Sequence, residues 1–533
     1  TLLGVIGVYV LQQAVTVKGR RVTFAPYVKG HISVLTAFLL VSLAAGFMIT
    51  SWELVHSSRG VVFGAGFTDT AAQLPVMRVL ALFSLVSAVI FLVNIYYRGW
   101  RLPLVAVGFL TLMWLGAGQI YPAVIQQYRV SPNEIAMESP YIAMNIDATR
   151  FAYGLDDVKT TPFPARADLS AESVSNNRAT VNNIRLWDAR ALLEAYTQQQ
   201  ELRLYYRFRD VDVDRYEVSL NYRQVMLSAR ELDQEQLLSQ AKTWVNEHLT
   251  YTHGYGVVVS SVNSTSAEGL PEYFVKNIPP QTLTSLEVTR PEIYYGEIGN
   301  DFVIVKTKAK EFDYPRQDDN AFTTYAGTGG VLMDSFWKRL AFVLRFGDLK
   351  LLASEYLTPE SRIMFRRTIK ERVSVIAPFL KLDGDPYVVI RDDGTLVWMW
   401  DAYTTTSRFP YSEPRSSGLN YIRNSVKVVI DAYHGSVTLY QIDPDDALAT
   451  TYAKTYPGLF RPADELPDDL RSHLRYPKDL FAMQAQVLSV YHMLDPQMFY
   501  NKEDVWQIPH EIYSAEEVPV SPYYAIMSLP GGE

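Results

Sequence analysis

The run LPLVAVGFLTLMWLGAGQIYPAVIQ, residues 102–126, constrains this chain more than any other stretch. About 20 apolar residues at 1.5 Å each cross a hydrocarbon core of roughly 30 Å, and no charged side chain interrupts this run. A helix buried in a soluble protein is usually shorter and carries a polar stripe, which is missing here. Trp100 and Tyr121 stand near the two ends, where a lipid interface favours ring-bearing side chains, and Pro122 marks the exit. The chain before the run is equally apolar, and the chain after it is not. The expected fold class is therefore a membrane protein with N-terminal transmembrane α-helices followed by a large α+β extracytoplasmic domain.

Two further spans are expected at about 31–52 and 76–96, and the apolar run 1–16, slightly too short to cross alone, reads as the tail of a truncated span. Basic residues sort the loops. Lys18, Arg20, Arg21 and Lys29 form one short basic loop and Arg98 and Arg101 another, while residues 53–76 hold Arg59 and the glycines Gly60, Gly64 and Gly66. Short basic loops stay in the cytoplasm, so residues 127–533 are expected outside it, in the cell membrane's outward direction. The glycine-rich loop 57–74 has no Gly-Lys-Ser/Thr and so no nucleotide-binding signature; it is expected to connect, or to dock beneath the external domain.

The division expected is a transmembrane region at 1–128, a loop-rich connector at 129–183 with one short helix closed by Gly154, and an α+β region at 184–533, split into subdomains at 184–380 and 381–533. Within the last, periodicity predicts helices at 184–196, 228–249 and 331–346, strands near 203–218 and 257–262, and hairpins at 387–403 and 427–441. The region 443–509 reads as mostly helical, with an apolar-periodic helix at 481–494.

Residues 1–128 hold eight Lys/Arg against Glu53 and Asp69, a net +6, so the rest of a chain of net charge −8 carries −14. An acidic domain has no electrostatic footprint for nucleic acid, which excludes that partner class. Cysteine is absent, which removes disulfides, zinc thiolates and thiol nucleophiles. No cofactor is implied.

The most chemical local pattern is RDVDVDR, where alternation puts Asp210, Asp212 and Asp214 on one strand face. Three carboxylates suit a hard cation such as calcium. The helix–loop–helix calcium pattern fails, because with Asp210 first the sixth residue is Arg215 rather than Gly and the twelfth is Asn221 rather than Glu. Alternate strand residues also lie roughly 6.6 Å apart, too far to share one ion without a bend. Ion pairing with Arg203, Arg207, Arg209 and Arg215 is the simpler expectation. His253 and Tyr255, in the turn YTHGYG, are binding candidates; an imidazole is the side chain a general base would use, but no nucleophile or orienting carboxylate is paired with His253 by spacing.

The series RFAYGLDDV, LRLYYRFRDVDVDRY, RQVMLSARELD, WVNEHLTYTHGYGVV, RPEIYYGE, RFGDLKLL, NYIRNSVKVVIDAY and HLRYPKDLF resembles the bacterial multi-pass membrane proteins of uncharacterised protein family 0182. The resemblance covers nearly the whole chain. It implies a cell-membrane protein with several N-terminal spans and a large external domain, with more spans before Thr1 and more sequence after Glu533. It supplies no catalytic residue to carry over.

The sequence supports three functional readings. The first is a non-enzymatic envelope assembly or binding platform, touching the bilayer and, through a Tyr-rich external domain (the chain has 35 Tyr), further copies or other envelope proteins. The second is an envelope hydrolase whose acid and base are drawn from Asp210, Asp212, Asp214, Glu292, Glu297 and Asp401. The third is transport, which wants ionisable groups within the spans and finds almost none.

Overall fold

The computed structural model describes residues 7–9, 12, 14–18, 21–97, 99, 101–162, 169–218, 221–299, 301–316 and 319–527. Most of the expected partial span at 1–16 lies outside them, as do Arg20 and Arg98 of the basic loops. The chain divides into two units: residues 1–158 with 406–422 and 484–509, and residues 159–405 with 423–483 and 510–533.

In the first unit three helices are long and apolar enough to cross a membrane: Tyr27–His56, Asp69–Tyr97 and Arg101–Ala152. They meet along Ala37, Leu40, Val76, Leu80, Ala88, Phe91 and Leu110, where small residues let the backbones approach. Asn94 donates to Ser33 Oγ at 3.3 Å, a polar link between two of them. Their outer faces are apolar too: Phe38 is 70% exposed and Leu104 67%. Such faces are tolerable only where the surroundings are apolar. Just before the first helix, Val15–Lys18 and Arg21–Phe24 form a two-stranded hairpin.

The third helix corrects the expected connector. It runs 52 residues, about 78 Å at 1.5 Å each, well beyond one hydrocarbon core. Its last part, Glu134–Ala152, continues through Pro140 with no break. Proline only removes one donor and crowds one carbonyl, and the wider turns at Trp114–Ile120 and Gln126–Val130 show that this helix absorbs such local misfits. Gly154, with φ of +64°, does end it.

The second unit is β-rich. One six-stranded sheet has Tyr206–Phe208, Asn221–Leu232, Val257–Thr265, Pro271–Lys276 and Gln281–Thr282 in that order, with Asp212–Val218 also on Asn221–Leu232. A second has Lys381–Leu382, Leu396–Thr406, Tyr421–Asp431, Val437–Gln441 and Phe460–Pro462, with Tyr387–Ile390 also on Leu396–Thr406. Val225, Leu227, Val257 and Val259 of the first pack with Trp398, Trp400, Val426, Val428 and Ile430 of the second in one buried cluster. The expected hairpin turns are present: Gly394 and Gly435 have φ of +78° and +70°.

The helix expected at 228–249 is not formed. Residues up to Leu232 belong to the strand Asn221–Leu232, and helical turns appear at Gln234–Gln236 and again over 244–250. Val225–Ala229 pair in register with Ser261–Val257, and burial between two neighbouring strands claims the first residues of the expected helix. The helix expected at 331–346 begins later, at Phe336, behind the cap Ser335.

Candidate functional site

The strand Asp212–Val218 pairs antiparallel with Asn221–Leu232, Asp212 opposite Leu227 and Asp214 opposite Val225. Alternation sends Val213 into a cluster with Leu192, Tyr196 and Met226 and leaves Asp212 and Asp214 on the other face, where both are buried. Their partners come from a distant segment. His473 Nδ1 lies 2.8 Å from Asp214 Oδ2, and Arg475 Nη2 lies 3.7 Å from Asp212 Oδ1 while pairing with Asp385. Val388 N–H donates to Asp212 Oδ2 at 3.0 Å. Asp210 precedes the strand and faces Asp385, Lys478 and Arg209.

The three aspartates are therefore spread along a row of cations and not gathered on one point. Among the described residues no three His, Asp or Glu side chains converge as a metal centre. The arginines expected to pair with them mostly go elsewhere: Arg207 to Asp233 at 3.4 Å, Arg215 to the Leu474 carbonyl, Arg203 to the Leu202 carbonyl. Arg209 alone of the four stays beside Asp210 as a neighbouring charge.

A second group of carboxylates adjoins this row. Glu231, near the end of its strand, is buried, and its Oε2 accepts from Ile298 N–H at 3.1 Å. A Cβ on Gly296 would sit 1.9 Å from that oxygen, so only glycine lets the 296–298 loop close over the carboxylate. Its other oxygen, Oε1, has no hydrogen-bond partner among the described residues. Burial pushes the Glu231 carboxyl up to about 7. Glu297 is raised by burial first and then by Asp210, Glu231 and Asp212; Asp210 is raised by burial first and then by Asp385. Asp212 is raised as well, by burial and then by Asp210, and a cluster of buried carboxyls with raised proton affinity is a feature that acid–base sites share. Asp210, Asp212 and Glu297 were candidates from sequence; Glu231 was not, because SARELD was expected to open a helix and not to end a buried strand.

The remaining candidates are interior. The His253 side chain is wholly buried, its Nδ1 2.8 Å from Thr252 Oγ1, its Nε2 3.4 Å from Asp313 Oδ1 and its ring packed on Tyr294. Beside it Glu311 accepts from Thr252 Oγ1, Tyr294 OH and Tyr325 N–H at 2.7–2.9 Å. Tyr255 pairs with Glu292 in a short two-stranded ladder and packs its ring on Tyr314. Asp401 forms a buried ion pair with Lys427. None of these side chains meets solvent in a way that offers a substrate a position.

The first unit holds a cleft of about 470 Å³. Its frame is the helix Glu134–Ala152, on which segments from far along the chain are pinned. Asn145 Nδ2 donates to the carbonyls of Phe63 at 3.0 Å and Tyr411 at 2.9 Å, while Tyr491 OH donates to Asn145 Oδ1 at 3.0 Å. Glu413 N–H donates to Thr149 Oγ1 at 2.9 Å, and Phe63 N–H to Glu413 Oε2 at 3.3 Å. The glycine-rich loop is thus docked, and Gly64, with φ of +121°, leaves room for the Tyr411 ring 2.4 Å from where a Cβ would be. Val61, Val62, Val487, Val490 and Phe499 make the apolar wall; Glu413, Arg415 and Lys502 make the charged rim. Nothing in the sequence announces this cleft, since its walls are some 350 residues apart in the chain.

The profile of the family described as "Uncharacterised protein family (UPF0182)" matches residues 1–533. A UPF0182 protein of Pelotomaculum thermopropionicum is 51% identical over 501 residues, covering 94% of this chain and 55% of its own length. One from Sulfurovum sp. is 46% identical over 99% of this chain and 58% of its own, and one from Geobacter sulfurreducens 45% identical over 98% and 58%. This chain spans a little over half the length of these relatives. No solved structure matches it.

Proposed function

This chain belongs to the UPF0182 family of uncharacterised proteins, and from that premise we propose that it is a multi-pass cell-membrane protein carrying an acidic extracytoplasmic domain and serving as a non-enzymatic envelope binding or assembly platform. The observation that carries the reading is the cleft of the first unit. It is roomy enough for a ligand or a partner's side chains, apolar on one wall and charged at its rim, and it is built on the outlying half of a helix too long for one bilayer crossing. The direction of that half is argued from loop charge.

The test is to purify the intact protein gently from membranes, wild type and Val490→Trp, and identify what copurifies, further copies of the chain included. A partner retained by the wild type and lost with the filled cleft supports the platform. Identical recovery with both proteins refutes the cleft as its seat.

A second reading, an envelope hydrolase, has one observation in its favour: Asp210, Asp212, Glu231 and Glu297 are neighbouring carboxyls all raised by burial. Hydrolysis of an envelope glycan that disappears in Asp210→Asn or Glu297→Gln would select it over the platform.

A further inference from the structure

The helix Phe336–Phe346 is amphipathic in an unusual way. Ser335 caps its start, accepting from Lys338 N–H, and Gly347, with φ of +72°, ends it. One face is anchored: Val343, with Phe342 and Phe346, packs among Leu249, Ile304 and Leu351. The opposite face is also apolar but bare. Trp337 is 75% exposed and Leu344 79%, two turns apart on one side, with Phe336 ahead of the ridge and Leu349 behind it.

Charge distinguishes this ridge from scattered surface apolar residues. The stretch 335–347 contains Lys338, Arg339 and Arg345, with Lys350 shortly after, against Asp334 and Asp348 just outside its two ends. The cations are held along the flank: Arg339 donates to the Met333 carbonyl, Arg345 lies over the Phe346 and Phe365 rings, and Lys338 pairs with Asp334. A Trp–Leu–Phe ridge edged with Lys and Arg has the chemistry of a bilayer's headgroup zone, where the indole sits at the interface and the cations meet anionic phosphates. The chain's own spans would keep a bilayer at high effective concentration.

We propose that Phe336–Phe346 is a peripheral membrane-contact helix that lays Trp337 and Leu344 into the headgroup zone of an anionic leaflet. This rests on the membrane reading above, and the experiment separates the two. Because the chain has no cysteine, single-cysteine variants of the full chain accept one fluorophore each. Leu344→Cys and Trp337→Cys report on the helix, Leu104→Cys on a span face, and Glu268→Cys on an exposed loop. Each is reconstituted in nanodiscs of phosphatidylcholine with phosphatidylglycerol, with and without nitroxide-labelled lipid.

The expected result is quenching at positions 344 and 337 roughly twofold or more above that at 268, and weaker in pure phosphatidylcholine. Quenching at 104 with 344 and 337 no different from 268 overturns the inference and leaves the membrane reading intact. No quenching at 104 overturns both. Quenching of 344 by nitroxide-labelled copies of the protein, but not by labelled lipid, overturns it in favour of a contact between copies.

Discussion

Glu231 sets up a pH dependence whose size is set by its surroundings. The native state holds this carboxyl at about 7 against an ordinary 4.5, because it is buried. The folded protein therefore keeps a proton that the unfolded chain has given up, so stability is highest below about 4.5 and declines as pH rises toward 7. At 1.36 kcal/mol per unit the gap comes to about 3 kcal/mol of stability lost across that window. Glu231→Gln removes the ionisation and keeps a carbonyl oxygen to accept from Ile298 N–H. Thermal unfolding of the intact chain, followed by tryptophan fluorescence between pH 4.5 and 8, should show the wild type losing roughly 6 °C or more relative to the variant as pH rises, at about 2 °C per kcal/mol for a unit of this size. Asp210 adds a slope of its own that both proteins share, while Glu297, raised in part by Glu231, loses some of its slope in the variant, which widens the difference in the same direction. Parallel curves for the two proteins would falsify the reasoning, since they would mean that Glu231 ionises as freely inside as outside.

Three further outcomes are expected. Gly64→Ala forces a side chain into a left-handed backbone and into the Tyr411 ring, at a cost of about 1–3 kcal/mol or more, and should speed proteolysis of the 406–422 segment in the intact chain; an unchanged cleavage rate would refute the docking. Asp401→Asn leaves the buried Lys427 ammonium uncompensated and should cost about 3–5 kcal/mol in a denaturation experiment, while Asp401→Leu with Lys427→Met recovers most of it; equal losses in both would show that packing, not charge, dominates there. A reporter fused after Val130 should be active only as an external fusion, and cytoplasmic activity would reverse the topology.

What was legible in the sequence was local. The three long apolar helices declared themselves by unbroken apolar length, and the hairpin 387–403 by its Asp392-Asp393-Gly394 turn, because hydrophobic run and turn chemistry are properties of neighbours in the chain. The strand face shared by Asp212 and Asp214 was equally readable from alternation. Their partners were not: His473 and Arg475 lie about 260 residues away, and no spacing rule reaches that far. The same limit hid Glu231, whose strand was read as helix since pairing with Val257–Thr265 is invisible locally. It hid the cleft for a further reason, that each wall is unremarkable until the segments 406–422 and 484–509 return to the helix Glu134–Ala152.

That return has a consequence for biosynthesis. The side chains of Asn145 and Arg150 are bonded to Tyr411 and Tyr491, which leave the ribosome about 250 to 350 residues later. At roughly 5–20 residues per second this is a wait of tens of seconds. During it the three long apolar helices are already made, while Asn145 and Arg150 keep only their early partners, the Phe63 and Leu155 carbonyls. The first unit to be started thus stays unfinished until residues 484–509 are made, and a ribosome stalled before residue 509 leaves it open.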